Sequence, residues 1–320
     1  MKFSVIIPVY NRPDEIDELL DSLTNQAYKD FDVLVIEDGS SEKCDGVVEK
    51  YKDRLDIRYY FKENSGQGFT RNYGYVKAGG DYWVVFDSDC LIPENYFETV
   101  KNHLETEWLD AYGGPDQAHP SFSPVQKAIN CAMTSLFTTG GTRGSKRHVG
   151  AFHPRSFNMG ITPEVFKKTG GYIMPRMAED LEFSLRIIKA GFKTGFIEEA
   201  FVYHKRRTSF MQFFQQIHFF GRGRVNLSRY FPWEIKLVHL FPLLFTLGCL
   251  MLFILPFLNR PLFFTGLTLL AAYLVLVFSD AILKSRNLPV ALLAVFASVL
   301  LLTGYGTGFI REWVKKLLIK

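Results

Sequence analysis

Two aspartates, Asp87 and Asp89, follow directly on a short apolar run at Tyr82–Phe86. An apolar run bounded by polar residues is typical of a buried β-strand, and open α/β sheets bind their ligands beyond the carboxyl ends of the strands. Two carboxylates at that place suit a hard divalent cation, Mg²⁺ or Mn²⁺, which commonly bridges to substrate phosphates. The alternative is an Asp-Ser-Asp turn that caps the next helix, since both residue types favour turns.

The elements around this motif alternate between strand and helix patterns. Buried strands are predicted at residues 3–9, 32–37, 57–61 and 82–86, with amphipathic helices at 15–23, 44–52 and 70–78 between them. This alternation with short connections predicts an α/β fold with a doubly wound, mostly parallel sheet. The strand ends at Tyr10, Asp38, Asn64 and Asp87 should therefore collect at one edge.

The following part of the chain is less regular. Residues 113–155 are rich in Gly, Pro, Ser and Thr and carry a basic cluster at 143–148, so we expect a long loop around one helix at 125–136. Thr162 and Pro163 begin a helix as cap and first-turn residue. Glu179 and Asp180 open another helix over 181–190. A last strand at 194–202 ends at Tyr203 and His204.

Composition restricts the class of protein. The net charge of +4 averages a mixed N-terminal part with an apolar, mildly basic C-terminal part, and no long Lys/Arg run suggests nucleic acid as a partner. The four cysteines are scattered without a Cys-x-x-Cys pair, which argues against a zinc site or a disulfide framework and fits a reducing compartment. Because the first residues already read as a strand rather than a signal peptide, the N-terminal domain is expected in the cytoplasm.

The C-terminal part has the character of a membrane segment. At 206–235 aromatic residues alternate with polar ones between arginines, which favours a helix at the membrane–water interface over a buried helix of the soluble domain. Three apolar stretches follow, at Leu237–Leu258, 262–283 and 288–310, each of about the 20 residues needed to cross a bilayer. We therefore predict a catalytic domain at 1–205, an interface segment at 206–235 and about three transmembrane helices at 236–320.

The positions of the basic residues do not fit three membrane spans. The Arg-rich entry and the turn with Lys284 and Arg286 agree with a cytoplasmic location of positive charge. Three full spans would place the basic C-terminal residues outside: Arg311, Lys315, Lys316 and Lys320. One alternative is that Leu237–Leu258, which contains Pro242 and Pro256, only dips into the bilayer.

An ordered set of short motifs runs through residues 4–204. Its pieces are Ser-Val-Ile-Ile-Pro-Val-Tyr-Asn at 4–11, Val-Ile-Glu-Asp-Gly-Ser at 35–40, Glu-Asn-Ser-Gly at 63–66, Arg-Asn-Tyr-Gly at 71–74, Asp-Ser-Asp at 87–89, Asn-Met-Gly at 158–160, Gly-Gly-Tyr at 170–172, Glu-Asp at 179–180, Leu-Arg at 185–186 and His204. No piece is specific alone, but in this order and spacing the set resembles glycosyltransferase family 2 on a GT-A fold.

The resemblance implies a donor site and a metal site. It implies that Pro8, Tyr10, Asp38 and Arg71 line the nucleotide pocket, with Asp38 accepting from the base. The motif at 87–89 would bring Asp87 and Ser88 to the donor, with Asp87 by the ribose, and Asp89 to a Mn²⁺ or Mg²⁺ ion. His204 would join Asp89 on the metal, although a lone histidine after a strand is more often structural. The chain has Glu37-Asp38 where the family often has Asp-Asp.

The resemblance also implies a catalytic base. Asp180 would accept the proton of the acceptor hydroxyl, and its position at a helix N-terminus would keep it ionised; without the other motifs, Glu179-Asp180 reads as a capping pair. A single base implies inversion at the anomeric carbon. Glu179 is a possible phosphate or acceptor contact, and Arg206 and Arg207 either clamp phosphate or form a membrane-facing basic patch.

The expected activity is an inverting, metal-dependent glycosyltransferase. It would use a nucleotide-sugar and a lipid-linked or membrane-bound acceptor in cell-envelope polysaccharide or glycolipid synthesis. A processive synthase is an alternative, but the Gln-x-x-Arg-Trp motif of such family members is absent after Asp180. A polyprenyl-phosphate sugar transferase is another alternative, and a non-catalytic membrane scaffold is the alternative outside enzymes.

Overall fold

The computed structural model describes residues 1–140 and 152–318. These fall into two compact units, one of residues 1–119 and 152–205 and the other of residues 120–140 and 206–318. Besides the chain from Arg206 onward, the second unit includes residues 120–140, which were predicted to belong to the catalytic domain. The predicted basic cluster at 143–148 lies outside the described residues.

The first unit is built on a seven-stranded sheet. Its first four strands are β1 Phe3–Val9, β2 Phe31–Asp38, β3 Ile57–Lys62 and β4 Tyr82–Phe86. The pairs β1–β2, β2–β3 and β1–β4 are all parallel, so these four strands end at the same edge. The expected α/β fold with a mostly parallel sheet is confirmed.

Helices cover both faces of this sheet. They are α1 Pro13–Thr24, α2 Asp45–Glu49, α3 Gln67–Lys77 and α4 Tyr96–Thr106, of which α4 was not predicted. Neighbouring residues of β1 point to opposite faces: Val5 and Ile7 pack with Leu19 of α1, and Ile6 packs with Tyr75 of α3. Burial on both faces explains why the strands are apolar throughout.

The second half of this unit differs from the predicted parallel order. The remaining elements are β5 Cys90–Leu91, β6 Ala111–Gly113, β7 Asp116–Gln117, β8 Asn158–Ile161, α7 Pro163–Thr169, α8 Glu179–Lys189, β9 Thr194–Phe196 and β10 Val202–His204. The order of strands in the large sheet is β3-β2-β1-β4-β8-β6-β9. Strand β8 is antiparallel to both β4 and β6.

The prediction of one continuous strand at 194–202 was wrong. A turn, in which the Ala200 N–H donates to the Ile197 carbonyl, divides it into β9 and β10. Strand β9 joins the large sheet, whereas β10 forms a small sheet with β5 and β7. The register of β10 and β5 sets His204 opposite Cys90, directly after Asp89.

The second unit is helical. It contains α5 Pro124–Thr134, α6 Leu136–Thr139, α9 Phe210–Leu227, α10 Phe241–Leu258, α11 Arg260–Ser285 and α12 Leu288–Leu318. Within residues 1–140 and 152–318, three helices are long and apolar enough to cross a membrane, and they contain α10, α11 and α12. The predicted interface helix α9 buries one face, where Phe213 and Ile217 pack with Ala297 and Leu301 of α12.

Candidate active site

Asp38 is fixed at the end of β2. It is 4% exposed, and its carboxylate accepts from the Lys62 Nζ at 2.6 Å and from the backbone N–H groups of Ser65 at 2.8 Å and Gly66 at 2.9 Å. Burial acts to raise the pKa of Asp38, but the hydrogen bonds from Lys62 and Ser65 outweigh it and hold the pKa below its usual value. Asp38 therefore remains ionised and ties β2 to the loop before α3.

Arg71 joins the Asp-Ser-Asp motif to the Glu-Asp pair. This side chain of α3 is almost fully buried and donates from Nη2 to Asp87 Oδ1 at 2.7 Å and from Nη1 to Glu179 Oε1 at 3.1 Å. Its Nε finds no hydrogen-bond acceptor among residues 1–140 and 152–318. A buried guanidinium between two carboxylates holds both at fixed positions, because separating them would leave a charge unpaired in the interior.

Glu179 and Asp180 have opposite environments although they are adjacent in sequence. Burial raises the pKa of Glu179, and the charge of Asp180 adds to the effect. Burial also acts to raise the pKa of Asp180, but Arg155, whose Nη1 donates to Oδ2 at 3.2 Å, and the N–H of Leu181 lower it below its usual value. The Asp180 side chain is 20% exposed and that of Glu179 only 4%, so Asp180 is the carboxylate that another molecule can reach.

The backbone before this pair is strained. Met177 and Ala178 have φ angles of +65° and +70°, a left-handed conformation that non-glycine residues seldom adopt. The same segment packs on the start of α3, where the Gly68 N–H donates to the Pro175 carbonyl at 3.0 Å. A Cβ on Gly68 would lie 2.2 Å from the carbonyl oxygen of Met174, so only glycine permits this approach. Strain of this kind is frequent at functional sites.

Asp89 and His204 form the candidate metal site. Asp89 Oδ1 lies 3.0 Å from His204 Nε2, and the other carboxylate oxygen accepts from Arg12 Nη1 at 2.7 Å. Adjacent ligands of an octahedral cation with metal–ligand distances of about 2.1 Å are about 3 Å apart, so this pair has a suitable spacing. Behind the imidazole, Asp116 Oδ2 lies 3.7 Å from Nδ1, and a carboxylate behind a metal-bound histidine is a common arrangement.

Cys90 is close to this pair but has the wrong chemistry. Its Sγ lies within 4.8 Å of ligand atoms of Asp89 and His204. Burial raises the pKa of the Cys90 thiol well above its usual value, with the charge of Asp89 adding to the effect. The thiol therefore stays protonated, and it contacts the Phe157 carbonyl at 3.6 Å. One carboxylate and one imidazole remain, a donor set that fits Mn²⁺ better than a soft metal.

The other predicted residues divide between the two units. Ser88 is buried next to Asp89, Pro8 lies in β1, and Tyr10, just after that strand, is 52% exposed. Arg206 and Arg207 belong to the second unit. There, Arg206 donates to Asn130 Oδ1 of α5 at 2.9 Å and 3.2 Å. Their predicted contact with phosphate remains a prediction.

Sequence reasoning missed three cationic residues beside the carboxylates. Arg12 contacts Asp89, Lys62 contacts Asp38, and Arg155 contacts Asp180. Arg12 and Lys62 stand at the ends of β1 and β3, so the argument that located Asp38 and Asp87 applies to them as well. Arg155 comes from an irregular segment with no periodic signal.

Sequence comparison finds a matching family and relatives of this chain. The family model for glycosyl transferase family 2 matches residues 4–168. The poly(ribitol-phosphate) β-N-acetylglucosaminyltransferase TarS of Staphylococcus aureus is 38% identical over 106 residues, which are 32% of this chain and 18% of that protein. An uncharacterized glycosyltransferase of Rickettsia typhi is 35% identical over 114 residues, 35% of each chain. The chain thus spans well under half the length of these curated relatives.

A solved structure has a similar fold over nearly the whole chain. The mannosyltransferase PcManGT from Pyrobaculum calidifontis, in complex with GDP-Man and Mn²⁺, superposes with a TM-score of 0.61 at 15% identity and covers 98% of this chain and 88% of its own. Since the family model accounts for more than half of the sequence, the chain belongs to glycosyl transferase family 2.

Proposed function

We propose that this protein transfers a sugar from a nucleotide-sugar to an acceptor hydroxyl with inversion at the anomeric carbon. The observation that carries the proposal is the Arg71 bridge between Asp87 and Glu179. It links the motif that would hold the donor to the helix start that would hold the base. The Nε of the same guanidinium has no acceptor in the described part of the chain, which supports a direct contact of Arg71 with the donor, as predicted for the nucleotide pocket.

Asp180 is the proposed general base. The acceptor oxygen attacks the anomeric carbon, the bond from that carbon to the diphosphate breaks, and the hydroxyl proton passes to Asp180. Its ionised state and partial exposure suit this role. Arg155, which donates to Asp180 Oδ2, would have to yield that oxygen to the incoming hydroxyl. Glu179 would position Arg71 rather than exchange protons.

Asp89 and His204 are the proposed ligands of a divalent cation, with Mn²⁺ preferred over Mg²⁺ because of the imidazole. When bound, such an ion neutralises charge that develops on a diphosphate leaving group. Arg12 would orient Asp89 by occupying its second oxygen. Asp38, Asp87 and Ser88 complete the proposed donor site, with Pro8 and Tyr10 beside the nucleotide.

The acceptor is proposed to be membrane-associated or lipid-linked, in cell-envelope polysaccharide or glycolipid synthesis, with the catalytic unit on the cytoplasmic side. Three helices of sufficient length and apolarity support membrane attachment. TarS, which is similar to 32% of this chain, is named a poly(ribitol-phosphate) β-N-acetylglucosaminyltransferase. The absence of Gln-x-x-Arg-Trp weighs against a processive synthase.

The proposal is tested with purified full-length protein in detergent. A panel of nucleoside diphosphates and nucleotide-sugars is screened for thermal stabilisation with Mn²⁺ and with chelator, since a ligand that binds the folded state raises its stability. We expect at least one nucleotide to stabilise the protein only with Mn²⁺, and its sugar to be transferred to a lipid extract. If no member of the panel binds, and no sugar is released from any donor, the scaffold interpretation replaces the enzyme.

A further inference from the structure

Helices α9 and α12 run side by side in the same direction. Five contacts pair residues of rising number on both helices: Phe210 with Phe296, Phe214 with Gly304, His218 with Gly308, Arg222 with Glu312, and Ser228 with Lys316. The approach is close enough to require glycine, because a Cβ on Gly308 would lie 2.1 Å from the His218 carbonyl oxygen. The C-terminal end of α12 therefore lies beside the C-terminal end of α9.

Polar contacts stabilise the pairing of α9 and α12 at their C-terminal ends. Glu312 is only 4% exposed and accepts from Arg222 Nε at 3.0 Å, with Arg229 Nη2 at 3.5 Å from its other oxygen. Lys316 Nζ donates to Ser228 Oγ at 3.0 Å. Separating the two ends would leave a buried carboxylate without its partners, which is costly.

The end of α9 and the start of α10 must lie on one side of a membrane. Residues 228–240 join them and contain Arg229, Glu234 and Lys236, so this segment cannot cross a hydrocarbon layer. Because the end of α12 is beside the end of α9, it shares that side. This holds whether or not α9 itself enters the bilayer, and it means that the three apolar helices cross an even number of times.

Helices α10 and α11 are the pair that crosses. They form an antiparallel hairpin in which the Phe245 and Tyr273 rings are 5.6 Å apart, and a Cβ on Gly266 would lie 2.9 Å from Leu252. Only 11% and 6% of their apolar windows are buried by protein, which leaves broad apolar surfaces for lipid. A hairpin of two spans returns the chain to the side from which α10 began.

Helix α12 is more deeply buried by protein than α10 and α11 are. Protein buries 44% of its apolar window, with α5 on its first half, where Ala128 meets Ala291 and Ala294, and α9 on its second half. If α12 crossed the bilayer, α9 would be carried in with it, together with Gln215, Arg222 and other polar residues. The end of α12 also alternates exposed basic and apolar side chains, the pattern of an interfacial helix: Arg311, Trp313, Val314, Lys315 and Leu317.

We propose that α12 does not cross the membrane despite its length, and that it lies with α9 along the lipid surface on the side where α10 begins. The partner of this surface is a lipid bilayer, with its headgroups at the basic residues. The proposal removes the conflict between three spans and the charges, because Arg286, Arg311 and Lys315 then share one side. It also retains Leu237–Leu258 as a full span rather than a re-entrant segment.

Three exposed positions test it by labelling with a membrane-impermeant maleimide in sealed vesicles of known orientation. They are Asn259→Cys between α10 and α11, Asn287→Cys between α11 and α12, and Lys315→Cys near the end of α12, in the full-length chain. The unmodified chain, with its four native cysteines, is the blank. Each variant is labelled again after permeabilisation, which shows that its thiol is reactive.

We expect Asn259→Cys to react from one side, and Asn287→Cys and Lys315→Cys from the other. Labelling of Asn259→Cys and Lys315→Cys from the same side would overturn the proposal. In that case Asn287→Cys reacts from the side where α10 begins if there are three spans, and from the opposite side if only α11 and α12 form a hairpin. Arg311→Cys, also exposed, repeats the measurement one turn earlier, so that a misfolded Lys315→Cys does not decide the result.

Discussion

Replacement of Asp180 by Asn isolates proton transfer from every other role of this residue. The amide has the shape of the carboxylate, and its oxygen can still accept the Leu181 N–H that Asp180 Oδ1 now accepts at 2.8 Å. The change removes one negative charge and the ability to take a proton. The donor contacts assigned to Arg71 and Asp87, and the metal ligand Asp89, are left in place.

The expected loss can be bounded from the structure. A general base contributes about 10²- to 10⁴-fold to a rate, which is about 3–5 kcal/mol at roughly 1.4 kcal/mol per factor of ten. The ion pair with Arg155 is also lost, but the two side chains are 20% and 31% exposed, so water reaches the guanidinium that remains. The rate should therefore fall by at least about a hundredfold while the protein stays folded.

The assay follows transfer of labelled sugar from the donor identified in the nucleotide screen, together with the donor dissociation constant. We expect Asp180→Asn to bind the donor like the parent chain but to transfer it at least about a hundred times more slowly. Glu164→Gln is the matched control, since Glu164 is an exposed carboxylate in the first turn of another helix, α7. That variant should retain full activity.

Two results would refute the reasoning. Transfer by Asp180→Asn within a few-fold of the parent rate would remove Asp180 from the mechanism. Equal loss of donor affinity and rate would make the residue part of the binding site rather than a base, because a group that acts only on the reacting hydroxyl changes the rate and not donor binding.

Three further predictions use the same measurements. Arg155→Gln should raise the pKa of Asp180, because it removes the cation that lowers that pKa. The acid limb of the pH–rate profile reports protonation of the base and should therefore move to higher pH. An acid limb at the same pH as in the parent chain would contradict the assignment of Asp180 as the base. Asp89→Ala should abolish the Mn²⁺-dependent part of nucleoside diphosphate affinity, and an affinity that still differs between Mn²⁺ and chelator would exclude Asp89 as a ligand. Gly68→Ala should destabilise the fold by about 1–3 kcal/mol and weaken donor binding, because the added Cβ would overlap the Met174 carbonyl oxygen. Gly46→Ala is the control, since a Cβ there lies in open space on α2. That variant should change neither the melting temperature nor donor binding.

Much of the site follows from one rule of sheet geometry. Asp38 and Asp87 could be located from the sequence because parallel strands β2 and β4 end at a common edge, and apolar runs mark strand ends clearly. The rule also reaches Arg12 and Lys62, but it does not say which carboxylate each will contact. Those pairings depend on side-chain directions in the loops, which no local pattern encodes.

Other parts of the site depend on long-range pairing. His204 meets Asp89 because β10 leaves the large sheet and pairs with β5, and the sequence shows only one continuous strand pattern there. Arg155 reaches Asp180 from an irregular segment. The direction of α12 was equally hidden, since its apolar length indicates a span, whereas its contacts with α9 determine where it ends.

The division of roles between Glu179 and Asp180 shows why residue type alone cannot name a base. Adjacent residues on a helix point about 100° apart, so one carboxylate faces the buried Arg71 and the other faces Arg155 and solvent. The same desolvation then has opposite outcomes, because the pKa of Glu179 is raised while Arg155 lowers that of Asp180. Comparison of Glu179→Gln with Asp180→Asn is therefore a comparison of environments: the first should weaken donor binding through Arg71, and the second should slow transfer alone.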